Sequence, residues 1–373
     1  MVSRSPNTNR ISPEGSDQMQ HDHDHDHAYD HDPAQGAPGA QRYEMSRILN
    51  FIFIEAQSPD AERFTFFVDS GLSPSMIFTR DPRARQLPIF SRDGAYMQPK
   101  PPVFNGLEDL CGSSIDGVIG LSTLTSFAAV SFNWDTDTMT LYPEQPPRPE
   151  GGVTLRTREG FSIDARLMGA STWPFLDLGA PISVMSPPAR PAAGAPIFRL
   201  SAPSAMGRID VAITEGNPLS YIDEEGAEHS ERVAVTYGAP TPSAHILGAD
   251  WFTARNLHLD MEAERMTLTP RVTPQEPWGH LGLYRFTPHL LPQLNPAALH
   301  THDRPFTALP SGGRPLARGL REGVEYRVKG LALPAGHQGA NVLRDALYSA
   351  TEAPLTLVGP DGEVTVPRVS MFE

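Results

Sequence analysis

The sequence predicts a mainly β protein: two pseudo-symmetric halves of similar size, followed by a small α+β domain. Three observations carry this. Short apolar runs broken by turn residues recur along 373 residues that include 38 Pro and 31 Gly, a density suited to many short strands. Three sequence blocks occur twice, in the same order. Beyond the second set, from residue 275 on, the texture changes to a mixture of strand, helix and hairpin patterns.

Residues 1–42 are polar and Gly/Pro-rich, and too poor in branched apolar side chains to bury a core, so they are predicted to be a disordered tail. Within it lies "HDHDHDHAYDHD", His21 to Asp32. Imidazole and carboxylate both ligate divalent transition metals, but the fixed Cys/His spacing of a structural zinc site is absent. The tract reads as a spacer that binds metal only adventitiously, and no metal site is expected. The remaining histidines, such as His289, His300 and His302, form no ligand spacing and read as surface residues.

The net charge of −14 argues against a nucleic-acid partner. The lone cysteine, Cys111, excludes an intrachain disulfide. It sits in "LCGSSIDG" without a His partner motif and reads as an incidental thiol. No apolar run approaches the roughly 18 residues of a membrane span. The stretch "MVSRSPNTNRISPEG" has no apolar h-region, so the expected compartment is cytoplasmic by default.

The first half, 43–147, contains "RILNFIFIEA", "RFTFFVDSG", "DGVIGL", "AAVSFNW" and "MTLYP", each read as a strand. "PEQPPRPEGG" (143–152) reads as a linker. The second half, 151–272, resumes with "GVTLRTR", "FSIDARLMG", "WPFLDLG", "HILGAD", "LHLDM" and "MTLTP". "FFVDSGLSPSMIF" matches "PFLDLGAPISVMS" and places Asp69 over Asp177, 108 residues apart (177 − 69). "DGVIGLSTL" matches "AHILGADWF" and places Gly120 over Gly248, an offset of 128 (248 − 120). The "MTL" blocks follow at an offset of 127 (266 − 139). Gly71 and Gly179 let the chain turn sharply after each Asp.

Two β-rich halves, each with apolar-apolar-Asp-x-Gly and a later apolar-apolar-Gly, resemble the aspartic proteases. Each half is similar to a retropepsin-like lobe, and the pair to the pepsin-like two-lobed arrangement, over about residues 43–270. The resemblance implies that Asp69 and Asp177 form a catalytic dyad around one water, sharing a proton because adjacent like charges resist joint ionisation. It also implies that the Ser70 hydroxyl bonds across to the opposite loop, and that Gly120 and Gly248 pack against the Asp loops. The implied activity is an aspartic endopeptidase acting on peptides or unfolded protein. The catalytic unit is one chain, without metal or organic cofactor. Lobe two departs from the family triplet: it has Asp177-Leu178-Gly179, and Leu178 has no donor or acceptor. A threonine there is expected to complete the lock and raise turnover. Leu72 stands where a small residue is usual, and Pro181 follows Ala180. The alternative reading is a catalytically impaired peptide-binding protein. The Asp93-Gly94 turn in "IFSRDGAYMQPK" (89–100) is the candidate substrate-covering hairpin.

Residues 275–373 are similar to bacterial PDZ domains. "PFTALPSGGRPLARGLREG" matches their strand, small-residue helix and Gly-Leu-x-x-Gly turn, and "HLGL" (280–283) their carboxylate-receiving loop. "ANVLRDALYSA" has apolar residues at helical spacing, and "PLTLVGPDGEVTV" reads as a hairpin around Pro-Asp-Gly. The resemblance implies a C-terminal peptide as ligand of this domain.

Overall fold

The structure is a computed structural model that describes residues 38–48, 51–111, 114–180, 183, 197–204, 207–237, 245–272, 306–307, 320–321, 324–332, 342, 346 and 353–366. It is mainly β. The first half comprises β1 (Gln41–Ile48), β2 (Phe51–Gln57), β3 (Arg63–Val68), β4 (Met76–Ile77), β5 (Tyr96–Met97), α1 (Pro102–Cys111), β6 (Gly117–Ile119), α2 (Leu121–Thr125), β7 (Ala129–Asn133) and β8 (Thr138–Tyr142). "RILNFIFIEA", predicted as one strand, is two. Ile48 pairs with Phe51, so the chain reverses between β1 and β2.

The second half comprises β9 (Val153–Arg158), β10 (Ser162–Ile163), β11 (Ala165–Leu167), β12 (Ala170–Thr172), β13 (Phe175–Leu176), β14 (Ile197–Ser204), β15 (Gly207–Ile222), β16 (Glu228–Tyr237), β17 (Ile246–Leu247), α3 (Ala249–Phe252), β18 (Arg255–Asp260) and β19 (Arg265–Pro270). A 14-stranded sheet runs through both halves in the order β17-β13-β10-β9-β19-β18-β7-β8-β1-β2-β3-β6-β4-β5. Read outward from the central β7–β18 pair, each strand meets its counterpart from the other half, as far as β6 and β17. The turns before β8 and β19 match as well. Asp137 and Glu264 both take positive φ, 48° and 51°, and their carbonyls accept from Met45 and Thr157, each at 2.8 Å.

Continuous apolar runs in β2 and β3 have a physical reason: both faces are covered. Ile52, Ile54, Phe66 and Val68 enter the main core, which spans both halves. Phe51, Phe53 and Phe67 enter a second apolar cluster on the other face. That cluster is completed by α1 and by a C-terminal four-stranded sheet of β20 (Phe306–Thr307), β21 (Glu325–Val328), β22 (Leu355–Gly359) and β23 (Gly362–Val366). The predicted hairpin is present: Gly359 pairs with Gly362 around Pro360-Asp361, and Gly362 takes φ +112°. Of 341–351 only Val342 and Ala346 are described, both helical. "HLGL", the His21–Asp32 tract, His289, His300 and His302 lie outside the described residues.

At the seam the antiparallel β7–β18 pair sets Phe132 opposite Leu257 and Ser131 opposite His258. A polar knot closes its end. Arg271 donates to the Thr253 and Trp134 carbonyls, both at 3.0 Å, while Asp135 accepts from Asn256 Nδ2 at 2.8 Å and the Val272 amide at 3.1 Å. Contrary to the surface reading of the histidines, His258 is buried. Strand alternation points it into the seam, where Nδ1 lies 2.8 Å from Ser131 Oγ and the ring meets Tyr142 edge-on.

Burial, reinforced by the Arg148 charge and opposed by Asp260, holds His258 down to about 4. The unfolded chain therefore takes the proton first. This group's stability is complete above the unfolded value of 6.5 and is lost as pH falls toward 4, by about 3 kcal/mol. Urea unfolding of His258→Asn against wild type checks this. The wild type should lose stability across that window and the variant should lose less; parallel curves would contradict it.

Candidate active site

Asp69 and Asp177 end matching strands. β3 and β13 each run parallel to a short partner, β6 and β17, with Val68 beside Ile119 and Leu176 beside Leu247. The wiring beyond them repeats group by group. The Asp69 amide donates to Ile119 O at 3.0 Å, and the Asp177 amide to Leu247 O at 2.9 Å. The residue after each later glycine ties back to its loop: Leu121 N to Leu72 O at 2.7 Å, Ala249 N to Ala180 O at 2.9 Å. Each glycine amide also donates to a serine hydroxyl, Gly120 to Ser75 at 2.8 Å and Gly248 to Ser183 at 3.1 Å. Ser75 and Ser183 are residues of the candidate site that the sequence reading missed. The signal was there: each stands six residues after its Asp (75 − 69, 183 − 177).

The two loops bring the carboxyl groups together. A methyl group on Gly71 would lie 3.0 Å from Asp69 Oδ1 and 2.8 Å from Asp177 Oδ2, so both carboxyls crowd the same glycine. A methyl on Gly179 would lie 2.9 Å from Asp69 Oδ2 and closer still to Cγ and Oδ1. Any side chain at either glycine would enter the space the carboxyls occupy. Gly120 packs as tightly on the first loop, where a methyl would lie 2.8 Å from Leu72 O. Each loop amide also holds its own carboxylate, Gly71 N to Asp69 Oδ1 at 2.8 Å and Gly179 N to Asp177 Oδ1 at 2.9 Å.

Both carboxyls stand above the ordinary carboxylate range, chiefly because they are buried. The negative charge of Asp177 raises Asp69 further, to about 7. The two titrations are linked, so the pair keeps one proton well above the ordinary carboxylate range. The pair thus offers an acid and a base in contact.

Ser70 bridges to the opposite loop. Its Oγ donates to Leu176 O at 2.8 Å and accepts from the Leu178 amide at 2.9 Å, so one hydroxyl satisfies two buried backbone groups. Leu178 joins this lock through its backbone. Its side chain is fully buried in the main core. A threonine there would bring a hydroxyl among apolar side chains, so Leu178→Thr is now expected to destabilise the loop instead of raising turnover.

No protein-family model matches the chain, and no curated protein matches it as a relative.

The 89–100 segment does not form the expected hairpin. A short 3-10 turn (Pro88–Phe90) precedes Gly94 at φ +74°, and β5 then pairs parallel to β4, a geometry no hairpin allows. A long hairpin lies elsewhere. β14 and β15 pair from Ile197–Thr214 to Ser204–Gly207, and β14 runs beside α1 of the first half. Pro203, Gly216 and Pro218 punctuate that stretch and hid it from sequence reading. A register shift between Thr214 and Asn217 absorbs the interruption.

Ser70→Ala should cost about 3 kcal/mol, because the buried Leu176 carbonyl and Leu178 amide both lose their partner. Denaturant unfolding checks this. A change within about 0.5 kcal/mol would mean the hydroxyl bridge does not tie the loops.

Proposed function

We propose that the chain is an aspartic endopeptidase, built of two retropepsin-like lobes in one chain with a PDZ-like unit after them. The observation that carries this reading is the half-buried Asp69–Asp177 pair, brought together by two loops with the same wiring and raised above the ordinary carboxylate range. A water held between the two carboxyls would lose a proton to the ionised one as it attacks the peptide carbonyl, while the protonated one donates to the carbonyl oxygen. The resulting gem-diol then collapses: the C–N bond breaks as the leaving amine takes the water-derived proton from the first carboxyl, and a diol hydroxyl returns its proton to the second, restoring the singly protonated pair. The β14–β15 hairpin, beside α1, supports a substrate cover supplied by the second lobe. Substrates on this reading are peptides or unfolded segments that thread the cleft in extended form, and one chain supplies the whole dyad.

A second reading has one specific observation in its favour. With Leu178 packed in the core, the hydroxyl bridge runs from the first loop only. A binding protein that holds peptides without cleaving them fits that asymmetry.

Cleavage of an unfolded protein from about pH 3 to 8 separates the two. The peptidase should be active while the dyad holds one proton. Activity should then fall as pH rises through about 7, the value to which Asp69 is raised, and fall again in acid when Asp177 is protonated. Asp69→Asn and Asp177→Asn should each remove at least ~10³-fold of the rate, and a transition-state-mimicking inhibitor of aspartic proteases should block the wild type. Peptide binding without cleavage above the two Asn variants would replace the peptidase with the binding protein.

A further inference from the structure

The two Asp loops share their backbone wiring but not their anchorage. Three residues after each Asp stands Leu72 in one loop and Ala180 in the other. Both amides close their loops on the Asp carbonyls, Leu72 N to Asp69 O at 3.3 Å and Ala180 N to Asp177 O at 3.1 Å. Both carbonyls receive the amide that follows the later glycine. The side chains differ. Ala180 has only a methyl. Leu72 packs against the second apolar cluster, which holds Phe67, Met76 and Phe104 of the first half together with Tyr326, Leu355 and Leu357 of the C-terminal sheet. Tyr326 and Leu357 are deeply buried there. The main core, which steadies the second loop through Leu176 and Leu178, is a separate cluster.

We propose that Leu72 is a positioning residue for Asp69: it fastens the first Asp loop to a cluster that the C-terminal sheet completes, so docking of that sheet sets the carboxylate's orientation. Leu72 spans a short mechanical path. Its side chain packs against the cluster, its amide donates to the Asp69 carbonyl at 3.3 Å, and its carbonyl ties down α2. Loosening the sheet removes apolar surface from one side of the cluster, and Leu72 loses the packing that holds its backbone still. Among the described residues the second loop has no such connection, and it should not respond. The catalytic consequence rests on the peptidase reading; the mechanical coupling does not.

The test uses the full chain with Leu72→Ala, Leu72→Met and Leu357→Ala. Hydrogen exchange is followed at the Leu121 and Ser122 amides, which donate to Leu72 O and Ser73 O, and at the Ala249 amide of the second loop. Leu72→Ala and Leu357→Ala should each speed exchange at Leu121 and Ser122 about tenfold, with Ala249 and the β7–β18 strands unchanged; Leu72→Met should stay near wild type. In peptide cleavage, the same two variants should lower kcat about tenfold with KM within about twofold, and shift the alkaline limb of the pH profile. Retained exchange rates at Leu121 and Ser122 in Leu357→Ala would overturn the proposal, as would a rise spread equally over both loops. A wild type that cleaves nothing, yet shows the loop-specific exchange response, would remove the peptidase reading and leave the coupling standing. A wild type that cleaves, with neither exchange nor pH profile moved by Leu357→Ala, would do the reverse.

Discussion

Two half-buried carboxyl groups brought side by side are the constraint on which the rest of this fold depends. Left alone, such a pair separates or takes up protons, because burial and mutual repulsion both penalise the charged forms. Asp69 and Asp177 stay together because each ends a strand pinned by a parallel neighbour, and because each loop supplies amides to its own carboxylate. Gly71 and Gly179 are small for the same reason: the space a side chain would fill is taken by carboxyl atoms. Ser75 and Ser183 fasten the following glycine segments beneath each loop. The pair is thus held from both halves at once, and the β7–β18 seam with its Arg271–Asp135 knot keeps the halves in register.

The symmetry is one of backbone, and the side chains break it. Ser70 reaches across to satisfy two groups of the opposite loop, while Leu178 turns into the core. Leu72 reaches the cluster shared with the C-terminal sheet, while Ala180 reaches no comparable cluster among the described residues. Both loops are therefore anchored in the main core, through Val68 and Leu176, and the first is also packed against the cluster shared with the appended sheet. Charge balance across pH is set by opposing groups. The raised carboxyls favour the folded state in acid and disfavour it as pH rises toward 7, whereas buried His258 disfavours it as pH falls toward 4.

Much of the site was legible in the sequence because the loops must do the same backbone job twice. Asp-x-Gly needs glycine where the carboxyls crowd the chain, and the later glycine needs to be bare where it packs on the loop. Ser75 and Ser183 escaped notice because serine is common in turns, and only the shared spacing marks them. The second apolar cluster was illegible for a different reason. Continuous runs such as "FIFI" say that a strand is covered on both faces, not by what. The β14–β15 hairpin was missed because its prolines and glycine normally end strands, and a bulge is a tertiary accommodation that local pattern does not announce. His258 looked like any other histidine until strand register turned it inward.

The most direct measurement is a carboxyl-carbon NMR titration of Asp69 and Asp177, with each resonance assigned by its Asn variant. The account predicts that the pair retains one proton far above the usual carboxylate value of 3.8, released only near 7, with both carbons reporting the same step because the titrations are linked. Two independent ionisations close to 3.8 would show that the carboxyls neither touch nor share a proton, and the account built on them would fail.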